Sequence, residues 1–120
     1  MPVRGLTILI AGRDPDRLRS ALGLAATQAA LGGRARLFLD GIAVTLLATP
    51  LAEPRDPVLR AAGLPTLAEL VNTALALGVA IILCQSGLAL AGLADIDERF
   101  ETGGMAGIMA TLDDDRLLAF

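Results

Sequence analysis

From Leu70 to Ala94 the chain runs for 25 residues without a charge. That is long enough to cross a bilayer, so the segment either spans a membrane or is folded into a protein core. Its content favours the core. Asn72, Thr73, Gln85 and Ser86 interrupt the run, and Gly78, Gly87 and Gly92 punctuate it. Neither Trp nor Tyr is present to mark an interface, and the flanks are acidic, with Glu69, Asp95, Asp97 and Glu98. The spacing predicts a helix to about Leu77, a break at Gly78, the β-branched strand "VAIILC", and a second helix from near Ser86. The opening "MPVRGLTILIAGRDP" has too short an apolar core for a signal peptide. The expectation is a soluble, cytoplasmic protein with a reduced thiol.

The same alternation extends along the chain. "LTILIA" (Leu6–Ala11) reads as a strand buried on both faces. Asp14 and Pro15 fit the cap and first position of a helix reaching about Leu31, where Gly32-Gly33 ends it. "RARLFLD" is a second strand, and Asp40 is placed to cap a short helix through "GIAVTLLA". Four prolines, Pro50, Pro54, Pro57 and Pro65, make the next stretch irregular, with one helical turn near "PVLRAAG". Thr66 and Glu69 have capping-box spacing and open a further helix. After "VAIILC" come the short helix "SGLALAGLAD", a brief strand in "ERFETGG", the helix "GMAGIMATL" and the closing strand "RLLAF". Alternating strands and helices, without a repeat or linker, predict one domain over residues 1–120. The fold class is a three-layer α/β/α sandwich on a mostly parallel five-stranded sheet, Rossmann- or flavodoxin-like, with right-handed crossovers.

Composition removes several functions. The net charge is −3, all ten basic residues are Arg, and they are scattered along the chain. Phe38, Phe100 and Phe120 are the only aromatic residues, so no stacking platform for nucleic acid exists. There is no His, which excludes Ser-His-Asp and Cys-His catalysis, and a single Cys forms neither an internal disulfide nor a cysteine metal cluster. No Lys is present for a phosphate-binding loop, and no cofactor motif follows the first strand. The expectation is therefore no cofactor and no metal.

Ligands of parallel sheets bind beyond the carboxyl ends of the strands, near a switch in strand order. Four segments fall at such ends: Gly12-Arg13-Asp14, Asp40-Gly41, Cys84-Gln85-Ser86-Gly87 and Thr102-Gly103-Gly104. Cys84 directly precedes a helix, whose free N–H groups stabilise a thiolate. A small buried hydrophobe closing a core strand explains the same residue. Asp14 and Asp40 read as caps, with a second role as polar groups near Cys84. Arg13 either faces solvent or pairs with an anion. Gly103-Gly104 permits a tight turn into a helix and offers its amides to an anion. Asp113-Asp114-Asp115 reads as a solvated turn rather than a metal site.

Taken together, these segments resemble the DsrE/DsrF-like family of small sulfur-relay proteins, which includes the Tus proteins of tRNA thiolation and the YchN-like proteins. "VAIILCQSGLALAGL" is similar to the family's strand, cysteine, small-residue and helix segment. "DIDERFETGGMAGIMATLDDDRLLAF" is similar to its acidic turn, Gly-Gly, helix and final strand, and "LFLDGIAVTLL" to its second strand and following helix. The resemblance implies a five-stranded parallel α/β sheet, trimers or hexamers, and a cysteine that carries sulfur as a persulfide. Cys84 is the matching position. Gly87 departs from the family, where many relatives carry Met or another larger residue, and some members lack the cysteine and act as structural partners.

Two functions follow. One is a sulfur carrier that takes sulfane sulfur on Cys84 from a donor protein and passes it to an acceptor protein. The other is a non-catalytic oligomeric binding or scaffold subunit with an inert Cys84. An apolar share of 54% in 120 residues exceeds the usual share of about 45–50%. The surplus predicts burial between subunits in a closed assembly, and the resemblance implies that this is a homotrimer or a hexamer built from trimers, with Cys84 in a crevice at or near a subunit boundary.

Overall fold

A computed structural model describes residues 3–120. Five strands, β1 (Leu6–Ile10), β2 (Ala35–Leu39), β3 (Ala80–Cys84), β4 (Glu101–Gly103) and β5 (Arg116–Ala119), form one sheet in the order β4-β3-β2-β1-β5. Every pairing is parallel. The helices are α1 (Pro15–Ala30), α2 (Asp56–Ala61), α3 (Leu67–Ala76), α4 (Gln85–Ala91) and α5 (Met105–Ala110), with a 3-10 helix over Gly41–Leu47.

Local signals explain the boundaries. The Asp14 carboxylate accepts the Asp16 N–H at 2.9 Å, with Pro15 in the first turn of α1. Thr66 and Glu69 complete a reciprocal capping box at α3. The Asp56 carboxylate accepts from Glu53 N–H (2.9 Å) and Leu67 N–H (3.1 Å), which fastens the proline-rich stretch to the start of α3. The uncharged run divides into α3, β3 and α4, and among the described residues no helix is long and apolar enough to cross a membrane.

Side chains alternate across the sheet. Ile8, Ile10, Leu37, Leu39, Ile81 and Leu83 point to one face and are fully or almost fully buried. The helices α1 and α3 pack side by side over that face, burying Leu18, Leu22 and Ala25 of α1 and Val71 and Ala74 of α3. The opposite face carries Thr7, Arg36, Phe38, Ile82 and Cys84, and α5 lies over Arg36, with Ile108 its one buried side chain.

Two expectations are corrected. Asp40 occupies the cap position of its helix, but its side chain makes no capping bond, and the helix is 3-10. The acidic turn is not solvated at its third residue. Asp115 is buried and accepts from Thr7 Oγ1 (2.8 Å) and Arg34 Nη2 (2.8 Å), with Arg36 Nε at 3.9 Å. Gly5 makes room for it, since a Cβ there would collide with the carboxylate. Arg36 donates to Thr7 Oγ1, Thr111 Oγ1 and the Ile108 carbonyl. One ionic cluster thus joins β1, β2, α5 and the start of β5.

The charges in this cluster are unequally served. Burial works against ionising Asp115, but the hydrogen bonds from Arg34 and Thr7 and the two guanidinium charges outweigh it and hold the carboxyl below its usual range. Burial, reinforced by the like charge of Arg34, pushes Arg36 below the ordinary arginine value, because its short bonds go to neutral oxygens.

A second fixed point is the contact of α4 with the 3-10 helix. Gly87 is buried, and a Cβ placed on it would fall on the Gly41 carbonyl oxygen, deep inside van der Waals contact. Gly41 itself has φ +55°, a left-handed conformation that side chains disfavour.

Replacing Asp115 with Asn should cost about 3 kcal/mol at pH 7, because a buried cation loses its partner. A carboxyl depressed in the folded state stabilises above its unfolded pKa of about 3.9, and the gain disappears as pH falls through the lower folded value. Urea titrations should therefore show wild type losing stability on acidification below about pH 4, and Asp115→Asn with a flatter acid limb. Gly87→Ala should cost about 2 kcal/mol through overpacking against backbone. By contrast, Gly23→Ala in the interior of α1, where a Cβ meets open space, should stabilise by about 0.5–1 kcal/mol.

Candidate functional site

The carboxyl ends of adjacent strands form a row. Leu39 of β2 pairs with Leu83 of β3, which places Asp40 next to Cys84 across the sheet. Cys84 pairs with Gly103 of β4, and Gly104 follows as the residue before α5. On the other side, Asp40 N–H donates to the Ile10 carbonyl at 2.8 Å, so the Gly12-Arg13-Asp14 turn begins one strand further along. Asp40, Cys84, Gly103 and Gly104 are therefore brought together. Gly12, Arg13 and Asp14 stand two strands from Cys84.

Cys84 ends β3 and is the residue before the first turn of α4, which starts at Gln85, one position earlier than the spacing predicts. Its Sγ accepts the Gly87 N–H at 3.4 Å. The side chain is buried, with 7% of the residue exposed, while Gln85 and Ser86 beside it are exposed. The Gly41–Gly87 contact fixes this arrangement. It anchors the first turn of α4 against backbone, and the anchored residue supplies the amide that meets the sulfur. Any larger residue at position 87 would have to move that turn.

The remaining candidates serve the fold or face solvent. The Asp14 carboxylate caps α1 and stands 3.6 Å from Arg17 Nε. Arg13 is exposed. Asp40 is half-buried and its side chain makes no capping bond, and the strand register sets its backbone next to Cys84. Gly103 sits tightly, since a Cβ would come within 3.1 Å of Ile82 Cγ2, whereas a Cβ on Gly104 would enter open space. The reversal of strand order falls between β1 and β5, and Cys84 is not there. At that reversal the Ala11 N–H donates to the Phe120 carbonyl at 3.0 Å, which closes the gap between the two strands.

Sequence reasoning missed the Thr7, Arg34, Arg36 and Asp115 cluster. The available signal was Arg36, a charged residue inside the apolar strand "RARLFLD", together with a Thr inside "LTILIA".

No family model matches this sequence, and no curated protein matches it in sequence. Among solved structures, the chain is similar to the crystal structure of the ychN protein from E. coli. The TM-score is 0.75 at 20% identity, over 98% of this chain and 100% of that one. It is also similar to a conserved protein of unknown function from Bacteroides thetaiotaomicron, with a TM-score of 0.62 at 15% identity, over 95% of this chain and 94% of that one. At such identities the likeness establishes the fold: this chain has the ychN fold, the five-stranded parallel α/β architecture that the sequence resemblance implies.

Proposed function

We propose that this protein is a sulfur carrier in which Cys84 holds sulfane sulfur as a persulfide. The observation that carries the reading is the seat of the only cysteine. It lies at the carboxyl end of a central strand, with its Sγ accepting a backbone amide from α4, within a fold similar to that of the ychN protein. An amide directed at the sulfur supports negative charge there, and a thiolate is the species that attacks sulfur.

The step balances without metal or external oxidant. The Cys84 thiolate attacks the terminal sulfur of a donor persulfide. A new S–S bond forms on Cys84, the donor's S–S bond breaks, and the donor leaves as a thiolate. In the second half, an acceptor thiolate attacks the terminal sulfur and Cys84 leaves as a thiolate, ready for another cycle. Donor and acceptor are proteins presenting thiols at the strand-end row. The working form is a closed homo-oligomer, which would cover exposed apolar side chains such as Leu31, Val58 and Leu90.

A second reading, an oligomeric binding or scaffold subunit with an inert thiol, is favoured by one observation: the low exposure of Cys84. Reactivity separates the two. Incubation with a persulfide donor, followed by intact-mass measurement, should add one sulfur atom to wild type and none to Cys84→Ser, whose circular dichroism should be unchanged. Failure of the native protein to load, together with no alkylation of Cys84 by iodoacetamide before unfolding, establishes the inert reading. Loading of the Ser variant overturns Cys84 as the carrier.

A further inference from the structure

We propose that the crevice between α5 and the strands β2 to β4 binds a small amino acid as its zwitterion, carboxylate towards Arg36 and ammonium towards Glu101. The crevice measures about 320 Å³, at the small end of the range of about 300–1,000 Å³ usual for ligand sites. Arg36, Ile82, Glu101, Gly104, Gly107 and Thr111 line it. Arg36 stands on β2 and Glu101 on β4, two strands apart and therefore about 10 Å across the sheet. The register turns both side chains to the same face: Arg36 pairs with Ala80, and Ile82, two residues further along β3, pairs with Glu101.

Both charges lack a close counter-charge. Arg36 is buried, with 9% of the residue exposed, and its short hydrogen bonds go to Thr7 Oγ1, Thr111 Oγ1 and the Ile108 carbonyl, all neutral. Asp115 stands 3.9 Å from its Nε and is already held by Arg34 and Thr7. Each Nη of Arg36 carries a second N–H that those bonds do not use. Thr111 and Ile108, which hold the two Nη atoms, both line the crevice, so the guanidinium fork stands at its wall. A carboxylate is the group that fits such a pair of donors. Glu101 is exposed and, among the described residues, forms no ion pair with Arg36 or any other cation. An ammonium is its complement, and neither a simple anion nor a simple cation satisfies both ends. Between them Ile82 offers an apolar floor for the ligand's carbon atoms. Gly104 and Gly107 keep the space open, since a Cβ on either would meet nothing within 4 Å. Cys84 does not line the crevice, so the inference stands apart from sulfur transfer.

Calorimetric titration with L-alanine should show saturable binding by the wild type in the millimolar range or tighter. Propionate, which lacks the ammonium, should bind about tenfold more weakly, since a hydrogen-bonded charge is lost. Glu101→Gln, a change on an exposed strand, should keep the fold by circular dichroism and bind the two probes alike. Gly107→Leu should fill the crevice and abolish binding, with the melting temperature unchanged or raised, because Leu is the better helix former. Amide shifts of the wild type during the L-alanine titration should move at Gly104, Gly107 and Thr111. The proposal is overturned by any of five results: no saturable binding, equal affinity for propionate in the wild type, an unchanged preference in Glu101→Gln, binding by a folded Gly107→Leu, or shifts that miss these residues. Should Gly107→Leu fail to fold, the wild-type shifts and the Glu101→Gln titration decide.

Discussion

The organisation of the sheet depends on how one buried carboxylate is satisfied. Asp115 lies in a largely apolar interior, where an unpaired charge would cost several kcal/mol. Arg34, just before β2, Arg36 of β2 and Thr7 of β1 reach it, and Arg36 extends the same cluster to α5. Parallel strands make no hairpins, so their register rests on contacts between residues far apart in the chain. This cluster is such a contact: Thr7 and Asp115 are 108 residues apart. A one-residue slip of β5 would displace the carboxylate from Thr7 and from the space left by Gly5.

The candidate site depends on a different constraint, the absence of two Cβ atoms. Gly41 adopts a left-handed conformation and presents its carbonyl to Gly87, which accepts the approach only because it has no side chain. The pair seats α4 on the 3-10 helix, and the seated turn directs an amide at Cys84. A relative with a larger residue at position 87 must seat this turn differently. The glycine here is therefore part of how the thiol is held.

The two sheet faces are unequally covered. α1 and α3 cover one face completely over β1, β2 and β3, while α5 contributes a single buried side chain to the other. Met105, Met109 and Leu117 remain partly exposed, as do Leu90 and Leu31 elsewhere. An apolar excess visible in composition thus takes the form of defined patches around a well-packed interior, and such patches are surfaces for association.

What the sequence determined by itself was the local architecture. Asp14-Pro15, Thr66 with Glu69, and the glycines after the helices are short-range signals whose chemistry acts within a turn, so α1, α3 and their ends were legible. The apolar runs specified buried strands, and their alternation with helices specified a parallel sheet. Cys84 at the end of β3 was legible for the same reason. Only the tertiary structure decided the rest. Strand order, which puts Asp40 and Gly103 beside Cys84 and the winding reversal elsewhere, follows from packing between distant segments. The burial of Asp115 requires residues near both ends of the chain, and the Gly41–Gly87 contact joins segments 46 positions apart. Periodicity and capping report on neighbours within a few residues, and they carry no record of which distant side chain will complete a charge or occupy the space a glycine leaves.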